Sequence, residues 1–186
     1  ITDAAKEKAR SIAKRLVGQA DMYVGFGGVP WYLVAVLHYK EAHLDPKRQI
    51  LNGEPFSRKT RMVPVGLGPW NDWRESTEFA VKYWLGGVLK NIPEERWCVP
   101  LALMVLERWN GLGYRRRGIH TPYLWCGTPY YKSGAFFSDG RFQPKRSLRA
   151  VGAAVVLRVM YENGDLTDND VKPVVDRPIV YDPHGL

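Results

Sequence analysis

The chain has 186 residues, 45% of them apolar and 25% charged, a balance that supports a folded core and excludes a disordered chain. Two cysteines, Cys98 and Cys126, are too few for a disulfide framework and, with no paired Cys or His beside them, make no metal site. No metal or cofactor is therefore expected. The longest apolar run, Val29 to Leu37, is about half a membrane span, so no span is expected, and no charged-then-apolar leader opens the chain. The net charge of +8 is unevenly spread: from Glu162 onward six acids face two bases, leaving +12 on residues 1–161. A basic body suits a polyanion: nucleic acid, an anionic membrane or an acidic cell-wall polymer.

In chain order, Thr2 can cap an amphipathic helix over residues 3–17, with Ala5, Ala9, Ile12, Ala13, Leu16 and Val17 at helical spacing and Gly18 as its stop. After a glycine loop, Pro30 suits the first turn of a helix running to about His43. That helix is apolar nearly all round, so it should be central and buried. Residues 44–70 carry no helical period and are rich in Pro and Gly. So long an irregular stretch in a compact domain is usually functional, and it allows a small hairpin near Thr60 to Pro64. Asn71 can cap a third helix, Asp72 to Leu85, closed by Gly86-Gly87. A short turn at Pro93 to Glu95 precedes a very apolar helix, Val99 to Trp109, which stops at Asn110-Gly111. Residues 110–146 form a second long loop, and Ser147 can cap a last helix, Leu148 to Tyr161. The acidic residues 163–186 read as a tail or linker behind a domain of residues 1–162. The expected class is mainly α: five or six helices around one buried helix, with two long loops.

Glu41 stands out on the central helix. Val34, Leu37 and Glu41 are spaced i, i+3, i+7, which aligns the carboxyl with an apolar stripe near the helix C-terminus. Burial and the negative end of the helix dipole both favour the protonated acid, the state a general acid needs near neutral pH. The bland alternative is a glutamate paired with Lys40, His38 or a distant arginine.

The surrounding motifs are His43-Leu44-Asp45, Asn52-Gly53-Glu54-Pro55-Phe56, Arg58-Lys59-Thr60, Leu106-Glu107-Arg108-Trp109-Asn110-Gly111, Thr121-Pro122-Tyr123-Leu124-Trp125 and Asp139-Gly140. In this order they resemble the lysozyme-like family of bacterial and phage peptidoglycan hydrolases, the endolysins. The resemblance spans about Val29 to Met160. It departs from the family pattern at Ala42, where Ser usually follows the glutamate, at Glu54, Phe56 and Trp109, where Asp, Leu and Tyr are usual, and at Lys59, which separates Arg58 from Thr60. The family is similar in architecture to goose-type lysozymes and lytic transglycosylases. It implies a lysozyme-like helical domain with one indispensable glutamate, here Glu41, at the edge of a cleft.

The other motif residues fit a sugar cleft. Asn52-Gly53 and Asn110-Gly111 are turn formers whose amides can bond N-acetyl groups, or simply tight turns. Tyr114, Tyr123 and Trp125 can stack on pyranose faces, or serve as core aromatics under a long loop. A glycosidase normally needs a second group. Thr60 and Asp45 lead that choice, ahead of Glu54, Glu107 and Asp139, although in such folds the substrate's own N-acetyl or C6 hydroxyl can complete the reaction. The implied activity is hydrolysis of the β-1,4 bond between N-acetylmuramic acid and N-acetylglucosamine by a monomer acting on cell-wall glycan strands. It would work in the periplasm or outside the cell, reached through a holin or an upstream segment. The close alternative is a lytic transglycosylase. From a different class, a basic nucleic-acid- or wall-binding domain without catalysis would not need a buried glutamate, and no nucleic-acid motif is visible. The two long loops are expected to face each other across one groove floored by Glu41.

Overall fold

A computed structural model describes residues 1–85, 92–138 and 140–172. Seven helices run through the described residues: α1 (Asp3–Val17), α2 (Trp31–Ala42), α3 (Trp73–Ala80), α4 (Val99–Trp109), α5 (Pro122–Trp125), α6 (Ala153–Glu162) and α7 (Asp168–Val171). Strands β1 (Ala135–Ser138) and β2 (Arg141–Gln143) form a two-stranded antiparallel sheet. The protein is thus mainly helical, as its periodicity predicts. The described chain gathers into two compact units, Ile1–Gly18 with Leu103–Val171, and Gln19–Ala102 with Lys172. Among the described residues, no helix is long and apolar enough to cross a membrane.

In the first unit, the Thr2 hydroxyl accepts the Ala5 N–H at 3.3 Å and so starts α1. Ala5, Ala9, Ala13 and Leu16 form its buried stripe, and the small alanines let α1 lie close against α6. From α6, Val155, Val156, Leu157, Val159 and Met160 are buried; each such side chain contributes about 1.5–3 kcal/mol. At the rim of this contact, Glu162 takes Lys6 and Arg158, each at 2.8 Å.

The last long helix begins later than its sequence suggests. Ser147 does not cap it; its hydroxyl donates to the Lys132 carbonyl at 3.1 Å. Residues 148–152 stay outside the helix because they are committed elsewhere. Leu148 N–H donates to the Tyr131 hydroxyl and Gly152 N–H to the Cys126 carbonyl at 2.9 Å. Gly152, the actual N-cap, lies so close to the 124–126 backbone that a Cβ would sit 2.1 Å from the Leu124 carbonyl oxygen. The expected loop 110–146 is partly ordered into α5, the turn at Arg115–Arg117 and the hairpin β1–β2.

In the second unit, every residue of α2 from Tyr32 to His38 is buried. Pro30 precedes the helix as an extended N-cap instead of entering its first turn. Trp73 of α3 packs edge-on against Tyr23 and Phe26, with ring centroids 5.9 Å away in each case. Asp72, not Asn71, caps α3 by accepting the Glu75 N–H at 2.8 Å. Glu75 in return accepts the Asn71 N–H and side-chain amide, a reciprocal capping arrangement. The helix then loosens into a π turn, Val81–Leu85. The Gly86-Gly87 stop lies outside the described residues. So does most of the acidic tail.

Candidate functional site

The candidate residues divide between the units. Glu41, Asp45, Asn52, Gly53 and Thr60 belong to the second, whereas Asn110, Gly111, Tyr114, Tyr123 and Trp125 belong to the first. Asp139 lies outside the described residues.

Glu41 sits half-buried in the last turn of α2, one turn beyond its fully buried stretch. The helix stops there because His43 and Leu44 both adopt the left-handed conformation, with φ of 54° and 61°. Each such non-glycine residue costs about 1–2 kcal/mol, so something must hold the turn. The His43 and Leu44 N–H groups donate to the Tyr39 and His38 carbonyls at 3.2 and 3.3 Å. Buried His38 adds a longer tie, its Nε2 lying 3.0 Å from the Asp45 carbonyl oxygen. A carbonyl only accepts, so Nε2 carries the proton. Nδ1 lies 3.0 Å from the Tyr23 hydroxyl, and the Trp73 ring covers the imidazole at 5.0 Å. An aromatic cluster in the core thereby fixes how the chain leaves Glu41.

The loop then folds back onto the helix end. Residues 48–55 close a tight turn through the Arg48–Pro55 bridge, with Gln49 N–H donating to the Glu54 carbonyl and Gly53 N–H to the Gln49 carbonyl. Gly53 has a φ of +73°, and a Cβ there would lie 2.2 Å from the Glu41 carbonyl oxygen. Only glycine permits this approach. The Asn-Gly-Glu motif is therefore seated on the backbone of the candidate acid.

Within this loop, several predicted roles meet other demands. Asn52 donates its amide to the Met62 and Val63 carbonyls at 3.2 and 3.4 Å, clamping the 60–67 segment. Glu54, 5% exposed, accepts the Arg61 and Met62 N–H groups at 2.8 and 2.9 Å. The Met62 amide, then the Arg61 amide and the Arg58 charge, hold its carboxyl below the usual range against the opposing effect of burial. Thr60 is buried, its hydroxyl donating to the Pro64 carbonyl and accepting the Leu67 N–H. These bonds make a closed loop where a hairpin near Thr60 to Pro64 was expected, and no strand forms there. Asp45 accepts the Lys47 N–H at 2.9 Å and the Arg48 side chain at 3.2 Å, and these partners lower its pKa, the amide first. Asp45 is thus a standing anion, and Thr60 has its hydroxyl committed to the loop. Gln49 also organises the loop, though no sequence pattern marks it. Fully buried, it accepts the Leu51 and Asn52 N–H groups and organises the turn. A lone Gln in a Pro/Gly-rich stretch carries no pattern that would have revealed it.

In the first unit, Asn110, Gly111, Gly113 and Tyr114 line an open cleft of about 470 Å³ with Phe136 and Phe137 of β1. The Tyr114 hydroxyl accepts the Phe136 N–H at 3.1 Å, and its ring meets Phe136 edge-on at 5.0 Å. Asn110 donates to the Thr121 hydroxyl at 3.0 Å, and that same hydroxyl caps α5. Tyr123 and Trp125, from α5, are not among the residues that line the cleft. Trp125 instead packs edge-on against His120 and Tyr130. Glu107, weighed as a second acid, is ion-paired with Arg115. Compared with known proteins, the chain matches no family model, no curated protein and no solved structure.

Proposed function

We propose that this chain is a lysozyme-type glycosidase that cuts the β-1,4 bond between N-acetylmuramic acid and N-acetylglucosamine, with Glu41 as general acid. The observation that carries the reading is the seat of Glu41. It is a half-buried glutamate one turn beyond the fully buried stretch of α2, with the Gly53 backbone laid on its carbonyl. A glutamate carried on a rigid helix end and only partly buried suits an acid that must meet a polymer. It would protonate the leaving oxygen. Asp45, kept anionic by the Lys47 amide and Arg48, suits stabilisation of positive charge on the sugar or activation of water. The Thr60 hydroxyl is better explained as a loop tie. The amide and aromatic lining of the cleft in the first unit is the kind of surface a sugar chain uses, and the strands of the cell wall would be the substrate.

The test is lysis of outer-membrane-permeabilised cells by Glu41→Gln, which should retain wild-type circular dichroism and lose about two to four orders of magnitude in rate. A folded, active variant would remove the mechanism. Mass spectrometry of released muropeptides separates hydrolysis, which adds one water, from transglycosylation, which leaves a 1,6-anhydro end.

A further inference from the structure

The loop tip at 62–65 is unlike the rest of the second unit's surface. Met62, Val63 and Val65 are 52%, 73% and 65% exposed, three large apolar side chains within four residues. Scattered single apolar residues on a surface are ordinary, but a cluster asks for a partner. The backbone beneath the tip is bonded inward: Met62 N–H to Glu54, the Met62 and Val63 carbonyls to Asn52, the Pro64 carbonyl to Thr60, and Gly66 N–H to the Thr60 carbonyl. Pro64 has no N–H to satisfy. These bonds reduce the number of backbone groups that would have to give up water at a bilayer surface. Exposed Lys59 and Arg61 lead into the tip, and residues 44–70 hold five cations against two acids. Both acids, Asp45 and Glu54, are already engaged within the loop.

We propose that the 62–65 tip docks on an anionic lipid bilayer, its apolar side chains inserted at the interface and Lys59 and Arg61 at headgroup level. The tip is too small for a stable protein interface, which takes about 800 Å² from each partner. It offers no aromatic face to a sugar, and tip-to-tip pairing of two copies would oppose like charges. A yielding, negatively charged surface satisfies both the apolar and the cationic parts. Docking of this kind stands whether or not the chain cuts glycans.

The experiment is co-sedimentation of the whole protein with vesicles of phosphatidylcholine alone or mixed with phosphatidylglycerol, at low ionic strength. Binding to the anionic vesicles is expected, with little to the zwitterionic ones. The triple variant M62S/V63S/V65S should weaken it about tenfold or more, and K59S or R61S about fivefold each. Circular dichroism checks folding, and V63D alone, at the most exposed position, carries the test if the triple variant is unstable. Absence of binding to anionic vesicles would overturn the proposal. So would sensitivity to Lys59 and Arg61 without sensitivity to the apolar residues, which would mean surface adsorption by charge. Loss of binding to purified peptidoglycan with vesicle binding intact would also overturn it, and would make the tip a glycan contact.

Discussion

A single hydrogen atom in place of a side chain decides how the loop meets Glu41. At Gly53, any Cβ would collide with the Glu41 carbonyl oxygen, and the φ of +73° adds left-handed strain to every other residue. Gly53→Ala should therefore cost about 2 kcal/mol or more in urea unfolding, since the backbone penalty alone is about 1–2 kcal/mol and the clash adds to it. If the loop orders the end of α2 for catalysis, the same variant should lose lytic rate beyond its loss of stability at a temperature where it remains folded. Unchanged stability would show that the loop relaxes away from the helix at little cost. Asn52 makes the contrasting case. A residue chosen as a sugar-binding amide spends that amide on Met62 and Val63, so its substitution should loosen the 60–67 segment before it touches any ligand.

At the scale of elements, α1 and α6 hold the first unit together through a small-residue stripe and one ionic knot. Lys6 and Arg158, in that order, depress the Glu162 carboxyl from an ordinary 4.5 to about 2. The sign follows from linkage: a carboxyl with a lowered folded pKa stabilises the fold above its unfolded pKa, and that contribution disappears as pH falls toward about 2. Thermal melts between pH 5 and 2 should therefore show less acid sensitivity in Glu162→Gln than in the wild type. The difference should be small, a few degrees at most, because the groups are solvent-screened. Identical acid profiles would show that the knot contributes nothing. The hairpin acts differently, its strand β1 contributing Phe136 and Phe137 to the open cleft beside Asn110 and Tyr114.

For the whole molecule the governing property is charge. Under the proposed function, the twelve positive charges in excess on residues 1–161 should draw the protein toward anionic walls through long-range attraction. Lysis by the intact protein should then weaken as added salt shortens the screening length from about 10 Å at 0.1 M to about 3 Å at 1 M. Turbidity assays across that range measure it directly. Activity indifferent to salt would assign the basic surface another purpose.

Local periodicity and capping chemistry were enough to place α1 with its Thr2 cap, the buried run of α2 and the full length of α4 with its stop at Asn110-Gly111. These depend on neighbours three or four residues away. The position of Glu41 at the end of the buried helix was legible for the same reason. The true start of α6 was not, because it depends on Gly152 lying against the Leu124 carbonyl. Nor was the placing of the sheet at Ala135–Gln143, which depends on strand pairing and on Tyr114 beneath it. That an arginine would pair with Glu107 was legible, but its being Arg115, the Thr60 hydroxyl closing its own loop, and Glu54 receiving two amides are likewise products of tertiary structure. A polar side chain declares its chemistry in the sequence, but which group uses it is settled only when residues remote along the chain are packed against it.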